Sequence, residues 1–383
     1  NISLSHTICL IHSTYFTRHT HTIRYVKSSS FYEGVRVSAT RPSMVEDDYD
    51  YPEDLPQVVL NRPKAILARA KSDPMSRLGA SVFGQLFLEL HFLNPRILRI
   101  AYTHPMDDGQ QRSFKVKFQG EGVDDYGGPY RECYTQISDE LQAMNNNGGE
   151  KECVLPLFRV SPNYARDGKG VRFVLNPMSC HTPDRMVVRG SVRDVKAKNR
   201  FCSFRPFDSF YWDQLALHTE MFAFLGQLMG MAIRNQLCLP LDLDPIVWKI
   251  LVKEKLCRED LKTIDESTYD LLKQIERGDY DDADNNKVEE MQNWTFPLSN
   301  GVRMKLGPYQ FSEINEKNRK RFVELAFQER LREGEVAAKV FLFTFDSLLM
   351  LVTHSFTLST RVYIYTHVRI LQHIQHRQYA WDS

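Results

Sequence analysis

The sequence lacks an excess of charge of either sign: 49 lysines and arginines face 48 aspartates and glutamates over 383 residues. That balance removes the electrostatic footprint of a nucleic-acid binder, so no nucleic-acid partner is expected. It also lacks any uninterrupted run of 18 apolar residues, so no membrane span is expected. It has no Cys-x-x-Cys pair. Its seven cysteines (Cys9, Cys133, Cys153, Cys180, Cys202, Cys238 and Cys257) are odd in number and scattered. That pattern fits reduced thiols in the cytosol or nucleus better than a disulfide frame. The nearest approach to a metal cluster, His6, Cys9 and His12, has no fourth ligand beside it. Neither a metal nor a cofactor is expected.

The two ends differ in composition from the middle. Eight of the twelve histidines fall within residues 1–30 and 341–383, and residues 1–30 hold no acid. The chain begins at Asn1 rather than Met, as a fragment would, and no charged segment precedes an apolar one as in a signal peptide. Neither end shows caps or periodicity that agree with its neighbours, so residues 1–40 and 341–383 are expected to be non-native flanks. Residues 41–75 open with Pro42, Pro52, Pro56 and the acidic run Glu46-Asp47-Asp48-Tyr49-Asp50, and read as a linker. Order is expected from about Ser76.

The middle is organised. The spacing of Phe83, Leu86, Phe87 and Leu90 predicts a helix over 82–93, and Phe114–Phe118 alternates as a half-buried strand does. Gly120–Pro129 is a glycine-rich turn, and Pro129 suits the first turn of a helix over 130–144. The turn lacks the lysine of a phosphate-binding loop, so a structural role is expected. Met221–Ile233 is apolar on nearly every face, as a core helix is, and Gly226 and Gly230 would let another element pack closely. Helices are expected at 246–256 and 266–277, the second ended by Gly278. The acidic stretch Asp279–Glu290 imitates a calcium loop. Ala283 and Asp284 occupy positions where that loop needs a ligand and a glycine, so a solvated loop is expected. A strand containing Trp294 and Phe296 and a charged helix over 314–333 complete an α+β, mainly helical chain.

Three blocks together resemble the amino-terminal lobe of a HECT-type ubiquitin ligase. The first, Val123 to Glu132, is similar to the family turn in which Asp125, Gly127, Gly128, Arg131 and Glu132 stand at the motif positions. The second runs from Phe224 to Ile233, followed by Leu239-Pro240-Leu241 and Trp248-Lys249. The third is Asn318-Arg319-Lys320-Arg321-Phe322-Val323. The match extends from about Val82 to Val340, within a lobe taken as 76–340. Its wording looks most like the large HERC group, although that group's propeller repeats are not visible. The resemblance implies a large subdomain and a small one, near 245–303, on which a ubiquitin-conjugating (E2) enzyme docks.

In that family ubiquitin passes from the E2 to a cysteine on a carboxy-terminal lobe, then to a substrate lysine. Ubiquitin, an E2 and a protein substrate are the implied partners. The family cysteine lies in a Thr-Cys-Phe segment, and no cysteine follows Cys257, so this chain is expected to lack it. Leu272, Trp294 and Phe322 match the family's E2-docking positions, while Thr268 and Gln274 depart from it. All three also make sense as core residues. Trp294, beside the acidic loop, is expected at the surface; Phe322, on a stripe with Leu325 and Ala326, is expected to be buried. The rival to a ubiquitin transferase is an inactive adaptor or competitor that binds an E2 without transferring ubiquitin.

Overall fold

The computed structural model describes residues 35–44, 50–106, 109–122, 127–145, 152–168, 173–176, 214–251, 254–278, 294–299, 303–306 and 314–349. In chain order its elements are β1 (Gln57–Leu60), α1 (Arg62–Ala68), α2 (Pro74–Ala80), α3 (Val82–Leu90), β2 (Lys115–Phe118), α4 (Gly128–Gln142), β3 (Met144–Asn145), β4 (Glu152–Cys153), β5 (Phe158–Val160), α5 (Pro162–Asp167) and β6 (Phe173–Leu175). They continue as α6 (Gln214–Arg234), α7 (Pro245–Leu251), α8 (Arg258–Ile264), α9 (Glu266–Arg277), β7 (Thr295–Pro297), β8 (Arg303–Lys305), α10 (Arg319–Arg332) and α11 (Glu335–Leu349). The fold is mainly helical α+β. Its strands form two-stranded sheets: β1 and β2 pair in parallel, the other pairs antiparallel.

Local chemistry explains most of the boundaries. Asn61 accepts from Lys64 N at the start of α1, Ser81 from Gly84 N at α3, and Ser161 from Tyr164 N at α5. These side chains satisfy amides that a helix start leaves open. The start of α3 has a second cap from a distant part of the chain. The buried carboxylate of Glu140, on α4, accepts from Val82 N (3.0 Å) and Phe83 N (3.1 Å). Glu140→Ala would leave both amides buried and unpaired. It is expected to destabilise the fold by about 1–3 kcal/mol, read as a lower urea midpoint, whereas Glu140→Gln keeps one acceptor and loses less.

The larger core is built around α6, which buries nearly its whole circumference. Phe83 and Phe87 of α3 meet Phe224 edge-on at 5.4 and 5.6 Å. Tyr130 and Tyr134 of α4 pack with Phe114. On the opposite side α11 lies along α6 with Phe341, Phe345 and Leu348 buried. A Cβ at Gly226 would stand 2.2 Å from the Phe341 carbonyl oxygen, and one at Gly230 would stand 2.9 Å from Leu348. The close approach expected of these glycines is realised, and Thr344 Oγ1 reaches Ala223 O at 2.7 Å.

Three boundaries set from sequence are corrected. The break at Val340 falls inside α11, whose Phe341, Phe345 and Leu348 belong to the core. The supposed linker 41–75 contains β1 and α1, and Leu55 is buried in it. The supposed flank 1–40 supplies Val35 to the core, and Thr40 bridges Ile100. Arg234, at the end of α6, joins two of these segments: its guanidinium donates to Val35 O (3.0 Å), Ser38 Oγ (3.0 Å) and Leu348 O (3.4 Å). Burial pushes that guanidinium down to about 10. The physical reason for all three corrections is the same. Short segments that look structureless alone become ordered by partners far along the chain. The His6–Cys9–His12 group and the Asp279–Glu290 loop lie outside the described residues.

Candidate functional site

A second hydrophobic core lies beside the first, with Ile250 packed against both. It contains Ile246, Leu261, Ile264, Leu272, Ile275, Trp294, Phe296, Leu306 and, from α10, Phe322, Val323, Ala326, Phe327 and Leu331. The small subdomain expected at 245–303 therefore draws an essential wall from α10.

Sequence chemistry sets its frame. Asp260 accepts from Cys257 N (2.9 Å) at the start of α8 and from Lys249 Nζ (2.8 Å). Burial pushes the Asp260 carboxyl up, but these bonds outweigh it and hold the group below its ordinary value. Asp265 caps α9 by accepting from Thr268 N (3.0 Å), and Gly278 ends the helix at a φ of 79°. The β7–β8 hairpin sets Phe296 opposite Met304. Trp294 leads into it at a φ of 53°, its carbonyl accepting from Leu306 N at 2.7 Å.

Leu272, Trp294 and Phe322 are brought together, and all are buried, at 0%, 2% and 0% exposure. Trp294 and Phe322 meet edge-on at 5.9 Å, and Phe296 adds a third ring at 6.2 Å from Phe322. The burial expected of Phe322 is seen. The exposure expected of Trp294 is not: its indole turns inward because the α9–α10 wall leaves an apolar slot the hairpin must fill. None of the three presents a free face to a partner here. Half-buried Leu256, Tyr269, Leu271, Ile314 and Leu325 ring the same core and reach its surface.

Two charged groups brace this subdomain, and neither was singled out from sequence. Arg258 donates to Glu276 (2.9 Å) and Glu324 (2.5 Å), tying α8 to α9 and α10. It holds both carboxyls below their ordinary value, and its own guanidinium is raised. Arg330, buried on α10, pairs with both Asp265 and Glu333. Glu333 also accepts from Ser299 N (3.0 Å) and Ser299 Oγ (2.5 Å). The i, i+3 spacing of Arg330 and Glu333 is a visible signal; their pairing with Asp265 is not.

The subdomain meets the larger body through apolar contacts, with Val174 of β6 packed on its core and Ile250 packed against both cores, and through polar ones. Asn163 on α5 donates to Lys262 O (2.9 Å) and Thr263 O (3.0 Å), and its Oδ1 accepts from Glu266 N at 2.8 Å. One amide thus spans the bend between α8 and α9.

The glycine-rich turn is described only in part, at residues 120–122 and 127–129. Gly127 takes a φ of 100° before α4, and Gly128 begins that helix. Arg131 Nε donates to Gln110 Oε1 (3.0 Å). Glu132 faces Arg62 at 3.7 Å and accepts from Gln136. Asp125 lies outside the described residues. Cys133 and Cys153 are buried, and burial pushes the Cys153 thiol up to about 12. The Cys238 thiol is also raised by burial; that of exposed Cys257 is raised by desolvation and by Asp260. The shifts at Cys153, Cys238 and Cys257 run opposite to that of an activated nucleophile. Among the described residues no three His, Cys, Asp or Glu side chains gather as metal ligands do, and no helix is long and apolar enough to cross a membrane.

Comparison with known proteins supplies the frame for this arrangement. Residues 180–357 match the HECT-domain (ubiquitin-transferase) family. The chain is 30% identical over 283 residues to the E3 ubiquitin-protein ligase HERC2 of Mus musculus, and 30% over 280 residues to that of Homo sapiens. Each alignment covers 73% of this chain and 5% of the relative. It is also 30% identical over 165 residues to the probable E3 ubiquitin-protein ligase HECTD4 of Homo sapiens, covering 43% of this chain and 3% of that protein. The chain thus spans about 5% of the length of the HERC2 relatives.

Proposed function

Because this chain belongs to the HECT-domain family of ubiquitin transferases, we propose that it forms the amino-terminal lobe of such an enzyme and docks a ubiquitin-charged E2 on its second subdomain. The carrying observation is the second core from Ile246 to Leu331, joined to the larger body by the apolar contacts of Val174 and Ile250 and by the hydrogen bonds of Asn163. The family reaction moves ubiquitin between thioesters, so the lobe contributes proximity and orientation. Leu272, Trp294 and Phe322 shape the docking surface from beneath, and Leu271 and Leu325 beside them make the contact. Partner contacts of this kind rest on a few large side chains. The cytosol or nucleus is the proposed compartment, where E2 enzymes and reduced thiols coexist.

Burial raises the Cys153 and Cys238 thiols, and desolvation that of Cys257, against the trend of a thioester-forming sulfur. That favours a second reading, in which this polypeptide binds an E2 and competes with active ligases without transferring ubiquitin.

The test presents the purified chain to a panel of ubiquitin-charged E2 enzymes. Micromolar binding is expected to at least one, weakened about tenfold or more by Leu271→Asp with an unchanged urea midpoint. No reducible ubiquitin adduct is expected. Binding to none of the panel sinks the docking proposal. An adduct that disappears with Cys9→Ala sinks the statement that this chain carries no acceptor.

A further inference from the structure

Three hydroxyl residues stand in a row at the start of α9: Ser267, Thr268 and Tyr269. The fold uses two of them. The Thr268 hydroxyl donates to Asp265 Oδ2 at 2.7 Å, and the Tyr269 ring packs edge-on against Phe327 at 5.8 Å. Ser267 is exposed and belongs to neither core. Its Oγ is met from the other side of the joint between the subdomains. Arg166 of α5, on the larger body, donates to it through Nη1, and Nη2 of the same guanidinium lies 3.5 Å from Glu266 Oε2.

This is a weak use of a guanidinium. Its planar fork pairs best with an anion that offers two oxygens, and here it meets one neutral hydroxyl and one carboxylate oxygen at the limit of reach. A phosphate on Ser267 Oγ would place two anionic oxygens before the same fork. Such a pair forms charge-assisted bonds and can dock one part of a chain on another.

The acids nearby are provided for. Asp265 is paired with Arg330, and Glu266 Oε1 has Lys262 Nζ at 3.4 Å, so Glu266 keeps a cation when Arg166 turns to a phosphate. Asp270, the third residue beyond Ser267, is exposed to water, which screens it. The first turn of α9 favours negative charge as well. Asp265, Glu266 and Asp270 also define the enzyme that would read this segment: a kinase with a basic substrate groove selects a hydroxyl flanked by acids.

We propose that Ser267 is a phosphorylation site for an acid-directed serine kinase, and that Arg166 receives the phosphate and so fastens the second subdomain to the larger body. In the reaction Ser267 Oγ attacks the γ-phosphorus of ATP. The new Oγ–P bond forms as the bond from that phosphorus to the β,γ-bridging oxygen breaks; ADP leaves, and the hydroxyl proton passes to the base of the kinase. The added phosphate works beside Asn163, which already accepts from Glu266 N at 2.8 Å across the same joint.

The full chain is incubated with Mg-ATP and an acid-directed serine kinase of the casein kinase class. Fragment-ion mass spectrometry is expected to place one phosphoryl group on Ser267 rather than Thr268, and Ser267→Ala is expected to lack it. Phosphorus NMR then follows the second ionisation of the phosphate, which is near 6 for an unpaired phosphoserine. Its midpoint is expected to be lower in the natural chain than in Arg166→Gln by about half a pH unit or more, because the guanidinium favours the dianion. The urea midpoint is expected to rise on phosphorylation of the natural chain and to stay level in Arg166→Gln. A folded chain left without a phosphoryl group on Ser267 overturns the modification site. An ionisation midpoint indifferent to Arg166→Gln, or a urea midpoint that falls on phosphorylation, overturns the role of Arg166. Neither readout involves an E2, so this test stands apart from that of docking.

Discussion

Replacing Arg330 with alanine is expected to destabilise the fold by about 3–5 kcal/mol. The guanidinium is buried and serves two buried carboxylates at once, Asp265 and Glu333. Burial opposes its charge, yet the two acids outweigh that and leave its pKa raised. Removing it strands two negative charges in the junction between the α9 cap, α10 and the Ser299 turn. The loss comes chiefly from those unpaired acids, so Arg330→Met combined with Glu333→Gln should recover part of it. Urea unfolding followed by circular dichroism measures both. A loss below about 1 kcal/mol for Arg330→Ala would place the pair among solvated surface ion pairs and refute the bracing role.

Phe322→Ala is expected to cost about 3–5 kcal/mol by the same measurement. Phe322 is fully buried, and its ring is the common neighbour of Trp294 and Phe296. Alanine there leaves a cavity that the α9 and hairpin walls cannot both collapse into. The result also separates two roles that one position in a family alignment confounds. If Phe322 acts from within, stability and E2 binding fall together in Phe322→Ala. If it acts as a direct contact, binding falls while the urea midpoint stays, as expected for Leu271→Asp. The exposure of Trp294 assumed from its loop would have predicted the second pattern for that residue too. Its burial predicts the first.

Asp265 shows how local and distant information combine. Its place as the cap of α9, two residues after Thr263 and three before Thr268, is written in adjacent residues. Its partnership with Arg330, 65 residues on, is not. Trp294 shows the limit from the other side. A tryptophan at the end of an acidic loop reads as a surface residue by composition. Only the slot between α9 and α10, closed by Phe322, decides that it is core.

By itself the sequence determined what neighbouring residues decide among themselves: the helix stop at Gly278, the glycine turn before α4, and the groove at Gly226 and Gly230. It identified that groove without its occupant. The part of α11 that fills it, from Phe341 on, reads from sequence as part of the tail. Tertiary structure alone decided that Phe341, Phe345 and Leu348 are core, that Gln57 lies beside Lys115 in a parallel pair, and that Asp244 is buried. The physical reason is range. Capping, turns and periodicity act over a few residues, whereas burial and charge pairing depend on which surfaces, distant along the chain, are finally pressed together.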